Sequence, residues 1–425
     1  MASNRVEALR IVRQRGRTSR SEIQNALGLS FPAVSLVVSQ LLEKDLIVKS
    51  GSRGSGAGRR ADLFEFNSKK GYVLGIDLGA RKIRIAVADL GGGIVHKVEV
   101  PTLAYEGGPR VMERLLALAR TTLEARGISG DNVLAVGVAA PGISERSTGK
   151  NLLSPFIPRW SDVPIHATLE DEFHVPVVVE NDVDMAIIGE KAWGAGKGCE
   201  NLVFLNVAVG VAAAIIVDGR LLRGANGAAG EIGFVLPDLA LERDEFSEEG
   251  SLESVTSGPG IVKRFRETSI RAARTAQAVR VVPPGAGSDV EQKGALTPID
   301  AMSPTGDMDS ETVFALAQAG DARAREVIER TVRYLSVALT NLVAAVNPEK
   351  AVLGGGVGLV LYSQKDAIRS FLARHVPFVP EIVQAQLGSD ASVFGAAAAA
   401  IDTAILVLEN ELDSGTLGNG RATNV

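Results

Sequence analysis

The sequence predicts an α/β protein in two parts: a winged helix-turn-helix head over residues 1–70, and a larger body of two similar lobes. Three observations predict it. The first 66 residues hold three amphipathic helical patterns, then two short strand patterns around a basic, glycine-rich tip. A strand-turn-strand pattern occurs twice in the body, at Gly71–Gly79 with Ile83–Ala88 and at Leu202–Ala208 with Ala213–Val217. Elsewhere helical and strand patterns alternate, as at Val111–Ala125 followed by Val133–Val138, the order expected of an α/β architecture.

In the head, the first helix is expected from about Arg5 to Arg15, with Val6, Leu9, Ile11 and Val12 as its apolar stripe. Ser19 and Glu22 have the spacing of a capping box for the second helix, and Gly28 can take the left-handed conformation that closes it. Ser30 is expected to cap a third helix that tolerates Pro32 in its first turn. Val34, Val37, Val38, Leu41 and Leu42 recur at helical spacing and predict a buried face, leaving Ser35, Ser39 and Gln40 on the other side. A helix, a short turn with glycine, and a second helix make the arrangement that enters the DNA major groove. Leu46-Ile47-Val48 and Leu63-Phe64-Glu65-Phe66 read as strands bordering the tip 51–60, whose Arg53, Arg59 and Arg60 suit a phosphate backbone or a minor groove. The DNA-facing set is therefore Ser30, Phe31, Pro32, Ser35, Ser39, Arg53, Arg59 and Arg60. The competing reading is a small helical bundle with a solvated glycine loop.

Charge separates the parts. Residues 1–66 carry eleven Arg and Lys against six acids, a net +5, so a chain of formal charge −5 leaves −10 for the remainder. A basic head on an acidic body implies a polyanion partner for the head alone. The length of 425 residues argues for two or three folding units. With 46% hydrophobic and 22% charged residues, global disorder is excluded. The lone Cys199 excludes an intramolecular disulfide and fits a reducing compartment. A polar, arginine-rich start and the lack of any uncharged run that reaches ~18 residues predict neither signal peptide nor membrane span, hence a cytoplasmic protein.

In the body, several segments carry a resemblance. Ala139-Ala140-Pro141-Gly142, Glu180-Asn181-Asp182, the run Arg223 to Gly233, Pro348-Glu349 with Val352 to Val357, and Phe394-Gly395-Ala396-Ala397 resemble the motifs of the ROK family of repressors and sugar kinases. With its head, the chain is similar to the xylose-repressor and N-acetylglucosamine-repressor type. The resemblance implies a two-lobed actin/hexokinase-like (ribonuclease H-like) fold with a cleft between the lobes. The first lobe is expected over 71–195, completed by about 385–412, and the second over 196–384, with a flexible insertion at about 282–309. It also implies that Gly142, Asn181, Asp182, Glu231 and Glu253 bind an effector sugar or sugar phosphate, with Asp182 at the general-base position of the family's kinases. Carboxylates and amides suit vicinal hydroxyls; the competing reading is that they cap helices or form ion pairs.

The sequence departs from the family pattern where phosphate chemistry resides. Family kinases read Asp-x-Gly-Gly-Thr at the first hairpin; here stands Asp77-Leu78-Gly79-Ala80-Arg81. At the second, Gly-Thr-Gly-x-Gly becomes Ala208-Val209-Gly210-Val211-Ala212. Phosphoryl transfer depends on donors placed close to developing charge, and these changes remove a hydroxyl and add methyls, so no catalysis is expected. The family's zinc ligands, one histidine and three cysteines, are replaced by Phe234, Asp244, Phe246 and Ser251. Zinc requires about four N/S ligands, so neither metal nor cofactor is expected, and packing by Phe246 and Leu252 is expected to hold the loop. His96, His166, His174 and His375 lack ligand-like spacing, and Trp160 and Trp193 are read as core. An apolar helix is expected to continue from Asp402 to Glu411 and to pack near the head, with 413–425 frayed.

These readings predict a sugar-responsive repressor of carbohydrate genes, acting as a homodimer or homotetramer on a palindromic double-stranded operator. The alternatives are an ATP-dependent sugar kinase with a DNA-binding head, and a regulator whose body binds a protein or no small molecule at all.

Overall fold

The computed structural model describes residues 3–53, 60–142, 157–160, 163–279 and 308–414. At the N-terminus, α1 (Asn4–Arg15) leads through β1 (Thr18–Ser19) to α2 (Arg20–Leu27) and α3 (Phe31–Glu43), followed by the hairpin β2 (Ile47–Arg53) and β3 (Ala61–Phe66). The three strands form one antiparallel sheet in the order β1-β3-β2. Val6, Leu9, Val12, Ile23, Val34, Val38, Leu41 and Phe64 are buried there, so the three helical stripes converge on one small core. Leu42, expected in that core, is only half-buried.

Two larger sheets follow. The first contains β4 (Tyr72–Leu78), β5 (Lys82–Asp89), β6 (Ile94–Pro101), β7 (Val133–Ala140) and β8 (Val177–Asn181), with α4 (Gly108–Glu124), α5 (Ile165–Phe173) and α6 (Asp182–Trp193) between and after them. The second contains β9 (Leu202–Val207), β10 (Val211–Val217), β11 (Arg220–Leu221), β12 (Lys350–Gly354) and β13 (Glu381–Gln384). Its helices are α7 (Glu253–Thr256), α8 (Gly258–Val279), α9 (Ser310–Gln318), α10 (Ala322–Val346), α11 (Gly356–Leu361) and α12 (Lys365–Leu372). Last comes α13 (Ala391–Ser414).

The sheet orders are β6-β5-β4-β7-β8 and β11-β10-β9-β12-β13. Each is an antiparallel three-stranded meander continued by two parallel strands. The repeated hairpin in the sequence is thus the visible part of a repeat of whole sheets. Chain contacts divide the molecule into two compact units, one running to Ala192 and resuming at Asp390, the other spanning Trp193–Ser389.

In the first unit α13 lies on β4, β7 and α6 at backbone distance. A Cβ on Gly137 would meet the Ala396 carbonyl at 1.9 Å, one on Gly75 the Val393 carbonyl at 2.5 Å, and one on Gly395 the Met185 carbonyl at 1.6 Å. Only glycine permits such an approach. By length and composition α13 could cross a membrane, but Ala396, Ala397, Ala400, Ile401 and Ala404 are buried against the sheet. In the second unit the core lies between the sheet and α8 and α10, around Leu205, Ile215, Phe265, Leu335 and Leu353.

Several sequence boundaries shift. The C-terminal helix includes Asp413 and Ser414, which were expected to fray. The expected insertion ends earlier than 309, because the Asp309 side chain caps α9 by accepting from the Thr312 amide at 2.8 Å; residues 282–307 lie outside the described residues. Trp160 is core, as expected, at 1% exposure.

Candidate functional site

The first hairpin, β4–β5, sets Asp77 directly opposite Arg84. The Arg84 guanidinium reaches the buried Asp77 carboxylate at 2.8 Å and Glu99 at 2.7 Å. Burial pushes the Asp77 carboxyl up to about 6; Arg84 opposes the shift, while Asp182 and Asp390 add to it. The tip is fastened from outside, since the buried Thr102 donates its hydroxyl to the Gly79 carbonyl at 2.6 Å and its amide to Arg81. The charge of the exposed Arg81 stands at this tip.

The second hairpin, β9–β10, turns through Ala208-Val209-Gly210, with Val209 57% exposed. One Glu253 oxygen accepts the Val211 amide at 2.9 Å. Burial raises the Glu253 carboxyl and the Val211 amide opposes it. A Cβ on Gly210 would come within 3.0 Å of that carboxylate, which therefore fills the concave side of the turn. A hairpin amide spoken for by a carboxylate is poorly disposed toward a phosphate.

The residues expected to bind a sugar divide between the units. In the first, Asn181 ends β8 and its Oδ1 accepts the Asp184 amide at 2.6 Å, so half of its amide caps α6 and its Nδ2 hydrogens are left for other partners. Asp182 opens α6 and keeps solvent contact. The protein around it still excludes enough water to hold its carboxyl above the usual range, against its own amide and that of Val183. Ser392 of α13 donates to the Asp182 carbonyl at 3.0 Å, tying this position to the C-terminal helix. Gly142, two residues beyond β7, adopts φ +93°, a conformation that favours glycine. In the second unit, Glu231 follows Gly230, whose φ is +92° and where a Cβ would stand 2.0 Å from the Ala213 carbonyl. That backbone contact fixes Glu231 on β10. For Asn181 the helix-capping alternative is therefore partly correct, whereas Glu253 gives its oxygen to a hairpin amide and caps no helix through it.

At the family's zinc position the packing expected of Phe246 and Leu252 is met by Leu252 alone. Phe234 stacks on Phe246 at 5.9 Å between ring centroids and 13° between planes, although Phe246 is 81% exposed. Leu252 is fully buried, and Ser251 donates to the Leu241 carbonyl at 3.3 Å. Two phenylalanines, a serine and an aspartate do not fit a zinc ion. Among the described residues no cluster of three or more His, Cys, Asp or Glu suits a metal.

In the head the capping box forms as expected. The Ser19 amide donates to Glu22 at 2.7 Å and the Glu22 amide to Ser19 Oγ at 3.3 Å, holding the Glu22 carboxyl below its usual range. Gly28 closes α2 at φ +65°, and α2 and α3 meet at 116°. Ser30 stands at the N-cap of α3, but contrary to expectation its side chain makes no capping bond. Phe31, Pro32 and Ser39 are exposed and Ser35 half-exposed. Arg53 pairs with Glu22 at 3.0 Å and Arg60 is exposed; Arg59 lies outside the described residues.

The C-terminal helix packs against the head, as the resemblance implied, but the pairs that fasten it were not read from the sequence. Arg10 of α1 grips Glu409 of α13 with two hydrogen bonds, at 3.0 and 2.6 Å. The Ser3 amide donates to Asp413 at 2.8 Å, and Arg13 reaches Asp402 at 3.5 Å. The acids at 402, 409 and 413 recur at helical spacing, the one signal by which this contact could have been read.

The comparisons agree with this architecture. The sequence is 33% identical to a glucokinase of Halalkalibacterium halodurans over 76% of this chain and 93% of that one. It is 25% identical to the xylose repressor of Caldicellulosiruptor bescii over 87% and 89%. Among solved structures it is similar to a ROK family transcriptional regulator homologous to the E. coli MLC protein, with TM-score 0.72 and 22% identity, covering 96% of this chain and 98% of that one. The ROK family pattern itself matches residues 73–403, and the chain belongs to the ROK family.

Proposed function

We propose that this chain is a sugar-responsive DNA-binding transcriptional regulator, a repressor of carbohydrate-uptake or catabolic genes. Its first 70 residues act as a winged helix-turn-helix, for which the 116° crossing of α2 and α3, the β2–β3 hairpin and the +5 charge give support. The single observation that carries the reading is the double attachment of α13. At one end Ser392 holds the Asp182 carbonyl; toward the other, Asp402, Glu409 and Asp413 hold α1 of the head. One helix thus touches both Asp182 and the first 70 residues, which supports a link between the two proposed sites.

Asn181, Asp182, Glu231 and Glu253 take the sugar hydroxyls, and Gly142 lets the backbone approach the ring. In a kinase Asp182 would accept the proton of the attacked hydroxyl; here it need only accept a hydrogen bond. Sugar shifts DNA affinity only through its different affinity for two states of the protein, typically ~1–3 kcal/mol. A homodimer or homotetramer presents pairs of α3 helices to half-sites about one helical turn apart.

A second reading, an ATP-dependent sugar kinase with a DNA-binding head, is favoured by the 33% identity to a glucokinase. The two hairpin tips speak against it. Calorimetry and steady-state phosphorylation over a panel of hexoses and pentoses decide between them. Sugar heat without turnover supports the regulator; ATP-dependent turnover abolished by Asp182→Asn supports the kinase.

A further inference from the structure

The solvent-facing side of α3 is small and polar in its centre and apolar at its edges. At about 100° per residue, Phe31 and Leu36 stand about 140° apart around the helix, with Ser35, Ser39 and Pro32 between them. Phe31 is 52% exposed and Leu36 61% exposed, while Val34, Val37, Val38 and Leu41 fill the opposite, buried face. No arginine or lysine occurs in α3, and its only acid is Glu43 at the end.

A single exposed apolar residue needs no explanation. Two of them bordering the face that a helix-turn-helix presents, on a head of net charge +5, fit an occupant with an anionic rim and apolar points on its floor. The DNA major groove is such a surface wherever it holds thymine, whose C5-methyl is the apolar group on a base-pair edge there. The commonest specific contact to guanine comes from an arginine or lysine, which α3 lacks. Serine hydroxyls bond to several bases and discriminate little.

We propose that α3 selects its DNA through thymine methyl groups, with Leu36 and Phe31 each seated against one, so that the bases beneath α3 are A·T pairs. Small side chains at 35 and 39 let the helix sit deep enough for both contacts. This inference rests on the DNA-binding reading above and names what the head recognises.

The test begins with selection of binding sites by the full-length protein from random duplex DNA. Each thymine of the selected site is then replaced by deoxyuridine, which removes the methyl and leaves base pairing intact. Loss of one buried methyl, at ~0.8 kcal/mol, weakens binding about fourfold. That loss is expected at one or two thymines per half-site, and it should vanish in Leu36→Ala or Phe31→Ala, both exposed positions whose thermal unfolding serves as the folding control. Uridine-containing sites that bind as tightly as the originals overturn the inference. So do equal losses in both variants, or guanine enriched beneath α3. A selection that enriches no sequence overturns the DNA-binding reading itself, and this inference with it.

Discussion

The two hairpins occupy the same place in two sheets of the same topology, yet they are closed by different chemistry. The β4–β5 hairpin holds a buried carboxylate, and the cross-strand Arg84 compensates it while Thr102 ties down the tip. The β9–β10 hairpin has an apolar tip at Val209, and a carboxylate from outside, Glu253, takes its free amide. One solution is electrostatic and the other is a backbone cap. At the second tip the amide of Val211 is engaged by a carboxylate, whereas at the first the guanidinium of Arg81 stays exposed. A duplicated scaffold can thus keep its sheets while its tips diverge, because sheet stability resides in the buried faces and tip chemistry in a few exposed residues.

The largest expected effect breaks the first closure. Arg84→Met leaves a buried charge unpaired and should cost about 3–5 kcal/mol in chemical denaturation. The cost should shrink at pH 5, where Asp77 takes up a proton. In the wild type the folded-state value of about 6 exceeds the ordinary 3.8, so the folded protein binds the extra proton. Asp77's contribution to stability is therefore present below about pH 4 and is lost as pH rises through about 6, by at most ~3 kcal/mol. Asp77→Asn should flatten that slope.

Next in size is the restoration of both tips. Ala80→Gly and Arg81→Thr, combined with Ala208→Gly, Val209→Thr and Ala212→Gly, return the donors that phosphoryl transfer uses. ATP-dependent sugar phosphorylation should rise about 10²–10³-fold over wild type; unchanged turnover would show that the tips do not limit phosphoryl transfer. The second closure alone is worth less. Glu253→Gln keeps an acceptor for the Val211 amide but loses its charge, so about 1 kcal/mol of stability is expected to go, with sugar affinity falling more than tenfold. The smallest effect is at the head, where Arg13→Gln removes a surface pair with Asp402 and should change stability by less than about 1 kcal/mol.

How much of this was legible in the sequence depended on the range of the interaction. The Ser19–Glu22 box and the Gly28 stop are local and could be read from spacing. The hairpin repeat was legible because it recurs, and the glycines of the β-turns marked its ends. The Asp77–Arg84 pair required strand register, which spacing alone does not supply. Glu253 on the Val211 amide and Arg10 on Glu409 join residues 42 and 399 positions apart, and nothing local announces them. Gly75 and Gly137 look like weak points of a strand, and Gly395 of a helix, until α13 is seen lying at backbone distance on the sheet and on α6. For the candidate sugar residues, the types could be read, but not that Asn181 and Glu253 each commit an oxygen to the backbone. In the head, apolar periodicity fixed the buried face of α3 but passed over Leu36, which lies off that stripe.

The claim on which the account turns is that sugar occupancy is felt at the head through α13. The direct measurement is the affinity of the full-length protein for a selected operator, with and without each sugar of a panel, in the wild type and in Glu409→Gln. The account predicts that one sugar changes wild-type affinity at least fivefold, and that Glu409→Gln still binds that sugar but responds to it less. An operator affinity indifferent to every sugar that calorimetry shows to bind would contradict it.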